Sequence, residues 1–347
     1  MAPKTSTFDA LPGELEAVLT RHLPRSLPLL RRLQFEQHNR SAEGTRSRIV
    51  FVSDTGEASA KGGGQGAVAF TAAHVDFASG TLVVYSTLED PDDEDFTGVA
   101  ASLSAYYEGQ VRMLVDEVVR LVAEYAAEQE QQEERGEGDE EQEEEHEREA
   151  RVARLFPRGL VLGTLNTRVR DILLGMDGGG RIAPRPTGFY DKWLFAVAGM
   201  PRDLGEELPP GMRWCAATVD DCALVVSRTH IPRTPEMLVR LPSLVIRLDD
   251  GTPISWAFIG QDGSLISLHC EEPYRRRGLA KALAAKLLRR GPGPFASDGW
   301  CSADVAADNV ASRRMCRSLG GRPHWEVSWV EFDVTKHGRL PNSTRAE

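Results

Sequence analysis

A chain of 347 residues is longer than one compact core usually needs, and its 41% hydrophobic residues suffice to fill two. The five cysteines form no C-x-x-C pair, which excludes a disulfide framework and a zinc site of that spacing, and no metal is expected. The net charge of −11 is that of residues 128–149, which hold thirteen acidic and two basic residues, so the rest is neutral; with no apolar run of about 18 residues and no signal pattern in the first twelve, a cytoplasmic protein without membrane or nucleic-acid partner is expected.

In chain order, apolar residues at helical spacing from Glu14 to Gln37, interrupted near Pro24 and Pro28, predict two short helices. Ile49–Ser53 and Thr81–Leu88 read as strands, with the glycines of 62–66 as a hairpin connection between them. Ala101–Ala127 carries one apolar face and predicts a long helix, which runs into the Glu/Gln-rich stretch 128–149. That stretch has nothing to bury and reads as a frayed solvated helix or a disordered insertion; a contact surface for a basic protein partner is the lesser alternative. A helix from Asn166 to Leu174 ending at Gly175, a loop through Gly178–Gly180, Pro184 and Pro186, and a strand over Trp193–Ala198 complete an N-terminal domain of residues 1–200. Pro201–Gly211 is the expected boundary, 211–334 the second domain and 335–347 a flexible tail.

The second domain has short, regular elements. Met212–Ala217 is a strand, Thr218 caps a helix with an acidic first turn, and another short helix follows Pro235. Ser243–Leu248 and Pro253–Ile259 form a hairpin about Asp249-Asp250-Gly251, and a third strand covers Ser264–Cys270. A helix over Gly278–Arg290, a strand over Trp300–Val305, a helix over Asn309–Leu319 and a strand over Val327–Val334 follow. Between the strand ending at Cys270 and the helix stands Arg275-Arg276-Arg277-Gly278-Leu279-Ala280. Three cations and a permissive glycine at a helix N-terminus suit an anion, and Lys281, Lys286, Arg289 and Arg290 continue the positive charge. An ordinary basic helix start is the plainer reading of the same residues.

The order of strand, R-x-x-G-x-A turn, helix, strand and a helix opened by Asn309 and closed by Leu319-Gly320 resembles the cofactor-binding core of the GNAT N-acetyltransferase superfamily, over about Gly211–Val334. The hairpin Ile254-Ser255-Trp256 to Asp262-Gly263-Ser264 resembles the glycine N-acyltransferase-like branch found in fungal proteins. The resemblance implies an α+β fold with a mainly antiparallel sheet flanked by helices, and an N-terminal α/β half resembling a degenerate repeat of it. It also implies acetyl-CoA or another acyl-CoA as co-substrate and a small amine or amino acid as acceptor. Backbone groups of Leu268, His269 and Cys270, and Asn309, would meet the pantetheine arm, with Ser312 also among the cofactor-binding residues. Arg275, Arg276, Arg277, Gly278, Leu279 and Ala280 would hold the pyrophosphate.

Direct attack of the amine on the thioester needs a proton acceptor, a donor to the leaving thiolate, and an N–H for the oxyanion, expected near Cys270. The sequence departs from the family here: Ser264 stands where a Glu is common, and Cys316, either the proton donor or, as the plainer reading, a small buried core residue, where a Tyr is common. His269, Glu271 and Asp262 are substitutes for the base, His269 first because its ordinary pKa lies near neutrality. The loop Ile231-Pro232-Arg233 is expected on the acceptor side, and Trp256 either lines that pocket or belongs to the core. Two alternatives to an acyltransferase of small amines stand beside it: an acyl-CoA-binding protein without turnover, and a protein or histone acetyltransferase. A dinucleotide-binding dehydrogenase is disfavoured because the glycine fingerprint is absent.

Overall fold

The computed structural model describes residues 3–39, 46–54, 69–90, 101–133, 152–157, 159–177, 180–202, 204, 207–229, 231–291 and 298–335. The chain divides into two compact units: the first comprises residues 1–33, 39–189 and 327–347, the second residues 34–38 and 190–326. The expected boundary, Pro201–Gly211, thus falls within the second unit.

Unit one contains β1 (Lys4–Phe8), α1 (Gly13–Arg21), α2 (Leu27–His38, to residue 33), β2 (Ser47–Ser53), β3 (Phe70–Asp76), β4 (Thr81–Ser86), α3 (Ala101–Glu133), β5 (Leu160–Asn166) and α4 (Thr167–Met176), followed by the first half of β6 (Ile182–Ala196). β1 to β4 form an antiparallel meander, β5 joins β4 in parallel, and residues 327–332 at the end of the chain pair antiparallel with β5. α3 supplies Val111, Leu114, Val118, Leu121 and Val122 to one face of the sheet, which is why its apolar stripe is legible in the sequence. α1 and α2 cover the other face with Leu15, Leu19, Leu29, Leu30 and Leu33.

Several elements differ from expectation. β1 reads KTSTF, too polar to announce a strand, and forms because β2 offers it an edge. β3, FTAAHVD, is buried at all but its last residue, Thr71 and His74 included, so it shows no apolar–polar alternation. α3 continues six residues into the acidic stretch, to Glu133, aided by an Arg154–Glu130 ion pair at 2.7 Å; residues 134–151 lie outside the described residues, as do 55–68 with the glycine loop and 336–347 of the tail. Gly175 sits inside α4 rather than ending it. Pro184 and Pro186 lie in β6, where residues 183–189 are mostly exposed and a missing N–H leaves no buried acceptor unpaired.

Unit two contains β7 (Met212–Cys215), α5 (Val219–Ser227), α6 (Pro235–Val239), β8 (Ser243–Leu248), β9 (Pro253–Ile259), β10 (Leu265–Cys270), α7 (Leu279–Arg290), β11 (Trp300–Ala306), α8 (Val310–Ser318) and the start of β12 (Arg322–Phe332). β7 to β10 form an antiparallel sheet, and β11 pairs antiparallel with residues 190–196 of β6. One core, beneath α7 and α8, joins Leu283, Ala284, Leu287, Leu288 and Cys316 to Leu265, Cys270, Cys301 and Trp193. On the opposite face of the β7–β10 sheet, Cys222 and Val225 of α5 and Leu238 of α6 pack on Val245, Trp256 and Phe258. Thr218 and Asp221 form a reciprocal capping box at the start of α5, and Arg247 of β8 pairs with the Asp221 carboxylate, so helix and sheet are tied through one acid. No helix among the described residues is long and apolar enough to cross a membrane.

Candidate active site

The arginine turn begins as a single tight turn, Glu272–Tyr274, in which Pro273 sets the backbone and Tyr274 and Arg275 donate their N–H groups to Glu271 and Glu272. Arg276 (φ 62°) and Gly278 (φ 79°) then adopt the left-handed conformation. At Gly278 this costs nothing and no atom lies within 4 Å of where a Cβ would stand, so the requirement is for backbone freedom rather than space. The first backbone bond of α7 runs from Ala282 N–H to Gly278 C=O, leaving the amides of Leu279, Ala280 and Lys281 without helical partners at the positive end of a twelve-residue helix. Arg275 Nε donates to Cys270 C=O at 2.9 Å and Arg277 donates to Pro273 C=O at 3.1 Å, which pins the turn to the end of β10. The residues 275–278 are exposed.

β10 and β11 touch at a single parallel bridge, Ser264 to Ser302, where Ser302 N–H reaches Gly263 C=O at 3.4 Å. Among the described residues no further pair joins them, so beyond Ser264 the two strands part and the facing edge of β10 is left open. Ser264 belongs to the bridge: its Oγ donates to Asp262 Oδ1 at 2.5 Å and its N–H to the same oxygen at 3.2 Å.

Within β10 the register against β9 breaks. Ile266 pairs with Phe258 and His269 with Trp256, so Ser267 and Leu268 stand together opposite Ala257, and Ser267 is left-handed at φ 53°. This bulge changes which face each later residue meets. Leu265, Leu268 and Cys270 face the core under α7, whereas Ile266 and His269 face α5 and α6. His269 stacks on Trp256 with ring centroids 4.6 Å apart and planes 16° apart, and its backbone C=O accepts from Ser255 Oγ at 2.6 Å. Its Nε2 lies 3.7 Å from Glu271 Oε2, and Arg228 Nε donates to Glu271 Oε1 at 3.1 Å. Burial works to raise the Glu271 carboxyl, but the hydrogen bond and charge of Arg228, with His269, outweigh it and hold it below its ordinary value. From the loop between α5 and α6, Arg233 reaches the bulge and donates to Ser267 Oγ. On the far side of the gap, Lys192 of β6 and Asp304 of β11, direct cross-strand partners, form an ion pair at 2.6 Å with the Lys192 side chain fully buried.

The structure therefore gathers Leu268, His269, Cys270, Glu271 and the turn Arg275–Ala280 at one end of the gap. Asn309 and Ser312 open α8 beyond β11, with Asn309 Oδ1 accepting Ser312 N–H at 3.0 Å as the helix cap. Ser264 stands at the closed end. Cys316 is wholly enclosed in the core, and burial pushes its thiol up to about 12. Trp256, 2% exposed, is core that also presents a ring face to His269. The sequence reading passed over Ser267, Arg228 and Lys192. The bulge had a signal, since apolar Leu265, Leu268 and Cys270 are not evenly spaced by two; Arg228 and Lys192 gain their partners only from tertiary register.

The sequence profile of a family described as the acyl-CoA N-acyltransferase verG N-terminal domain matches residues 5–193, and that of FR47-like proteins matches residues 245–330. Comparison with curated proteins gave no match. Among solved structures, a Drosophila protein is 17% identical and aligns over 93% of this chain and 96% of its own with a TM-score of 0.56, a fold shared along almost the whole length. A GCN5-related N-acetyltransferase from Sphaerobacter thermophilus is 13% identical, covering 97% of this chain and 98% of that chain with a TM-score of 0.44. A tandem GNAT protein from the clavulanic acid biosynthesis pathway is 12% identical, covering 97% and 100% with a TM-score of 0.42.

Proposed function

Since the chain belongs to the acyl-CoA N-acyltransferase family of the verG N-terminal domain, we propose that its second unit moves an acyl group, acetyl in the first instance, from acyl-CoA to the nitrogen of a small amine or amino acid. The observation that carries this reading is the parting of β10 from β11 beyond one bridge, with the arginine turn at the open end. A pyrophosphate suits the amides of Arg276 to Ala280, where the helix end and three arginines supply positive potential. The pantetheine arm suits the open edge of β10, whose amides and carbonyls lack strand partners there, with Asn309 and Ser312 across the gap.

The arm would bring the thioester toward the bulge. There the register break frees an amide from the ladder at Ser267–Leu268, three to two residues before Cys270, and an N–H so placed stabilises the oxyanion of the tetrahedral intermediate. The acceptor comes from the α5–α6 face, the face the bulge gives to His269. His269, its ring plane set by Trp256 and its Nε2 facing Glu271, takes the proton that the attacking ammonium must lose. Nitrogen–carbon bond formation, loss of a second proton from that nitrogen and carbon–sulfur cleavage follow; the second proton balances the one the leaving thiolate takes up, and the first passes from His269 to solvent. Ser264, committed to Asp262, and Cys316, sealed in the core, have no part in this scheme.

Calorimetric titration of acetyl-CoA, with mass detection of acylated product over an amine panel, tests the reading. Wild-type protein should bind one acetyl-CoA per chain. Gly278→Asp, which puts a side chain and a negative charge on a left-handed residue of the turn, should weaken binding by about tenfold or more. Equal binding by both proteins would remove the turn from the site; binding without product from any amine would leave an acyl-CoA-binding protein.

A further inference from the structure

Arg233 stands apart from the other charged groups around the bulge. It is half-buried, on the loop that joins α5 to α6, and its guanidinium donates to the Oγ of Ser267. Two arginines near it each have a carboxylate: Arg228 holds Glu271 and Arg247 holds Asp221. Among the described residues Arg233 has no ion pair. The opposing charge that acts on it is that of Asp262, whose Oδ1 is already taken by Ser264 Oγ and Ser264 N–H. Burial accordingly lowers the proton affinity of Arg233, against the smaller opposing pull of Asp262. A guanidinium carries five donors in a planar fork and pairs best with a two-oxygen anion, so one hydroxyl contact leaves most of its capacity open beside the transfer point.

We propose that Arg233 is the anion site for the acceptor: the amine acylated by unit two carries a negatively charged group, a carboxylate in the first instance, which pairs with this guanidinium next to the bulge. The proposal rests on the acyl-transfer reading above and names its acceptor class. In an α-amino acid the carboxylate lies one carbon from the nitrogen, so an anion held beside Ser267 sets the nitrogen close to the amide that the bulge frees and on the face that His269 shares. An amine without an anion has no such anchor and leaves Arg233 partly desolvated and unpaired. Two residues before Arg233 the same loop exposes Ile231 to 58%, which recommends a probe with an apolar side chain.

The test is calorimetric titration of L-leucine, 3-methylbutylamine and 1-amino-3-methylbutylphosphonate into CoA-saturated wild type, Arg233→Met and Arg233→Lys. Wild type should hold leucine, the phosphonate or both more tightly than the uncharged-tail amine, and the pair of anions tells a carboxylate site from a phosphoryl one. Arg233→Met should weaken the preferred anionic probe by about tenfold to a hundredfold, Arg233→Lys by less, and 3-methylbutylamine should be unchanged in both. Wild type binding neither anionic probe more tightly than 3-methylbutylamine overturns the proposal, and this comparison needs no variant to fold. Equal losses for all three probes in Arg233→Met also overturn it, because they mark Arg233 as a tie between loop and strand. Acetyl-CoA titrated into wild type separates the two levels: absence of binding sinks the acyl-transfer reading itself, whereas normal acetyl-CoA binding without anion preference sinks only the role of Arg233.

Discussion

The two units pass through the same order of elements, strand, two helices, three strands, helix, strand, helix, strand, and differ most where the fourth strand hands over to the long helix. In unit two that junction is basic, exposed and twice left-handed. In unit one the described part of it is Thr87-Leu88-Glu89-Asp90, acidic and turned inward. Ser86 and Glu89 close a capping box on it, Tyr85 donates to Asp90 at 2.7 Å, His22 Nδ1 lies 2.5 Å from the other Asp90 oxygen, and Arg168 of α4 donates to Leu88 C=O at 3.1 Å. The strands differ as well. β4 runs against β3 in unbroken register and pairs with β5 at two positions, whereas β10 is bulged against β9 and meets β11 at one bridge. Element order is thus shared, while the described parts of the two junctions differ in sign and β10 carries one extra residue against its neighbour.

The sharpest way to break this contrast is at His269. His269→Gln should lower the turnover of acyl transfer by about a hundredfold to ten-thousandfold, while the acetyl-CoA dissociation constant stays within about twofold. Undiminished turnover would shift the proton to another group. In unit one the expected effect is on stability. Burial raises the Glu89 carboxyl from its ordinary 4.5 to about 8, over the opposing hydrogen bond from Ser86 and the charge of Arg25. The folded unit therefore keeps a proton that the unfolded chain releases, so the stabilisation is complete below about 4.5 and is lost as the pH rises through about 8. Thermal melts of Glu89→Gln should lose that slope, worth at most a few kcal/mol, with acetyl-CoA affinity unaltered. A Glu89→Gln protein that melts with the wild-type pH dependence, or binds acetyl-CoA differently, would undo the contrast. The smallest effects fall on two matching caps. Asn166 accepts from Arg168 N–H at 2.9 Å to open α4, as Asn309 does for α8. Each change to alanine should cost about 1 kcal/mol in denaturant melts, more at buried Asn166, but Asn309→Ala alone should also weaken acetyl-CoA.

Unit two was largely legible in the sequence because its strands are bounded by turn residues, such as Asp249-Asp250-Gly251, and its helices by caps, such as Thr218 and Asn309. The arginine turn was legible because its charge and glycine act locally. Unit one was harder. A polar edge strand such as β1 is specified by its neighbour, and the prolines of β6 have the same residue types as a loop. The active-site arrangement was legible only as a set of residues. That His269 lies on the face of Trp256, that Ser264 bonds to Asp262, and that Arg233 meets Ser267 all depend on a register break that composition does not record. Cys316 shows the converse: a small thiol on α8 reads as a buried core residue, and it is one.

The Ser264–Ser302 bridge also makes β10 a ruler with one closed end. Its far mark is the arginine turn, where phosphates would be gripped, and its near mark is the shut seam between the strands. From seam to bulge is three residues, about 10 Å of strand. With the thioester at the bulge, as proposed, an acyl group would have only that run before the strands close, so each added carbon would be measured against a fixed stop, and shortening or lengthening β10 by residues would reset the scale.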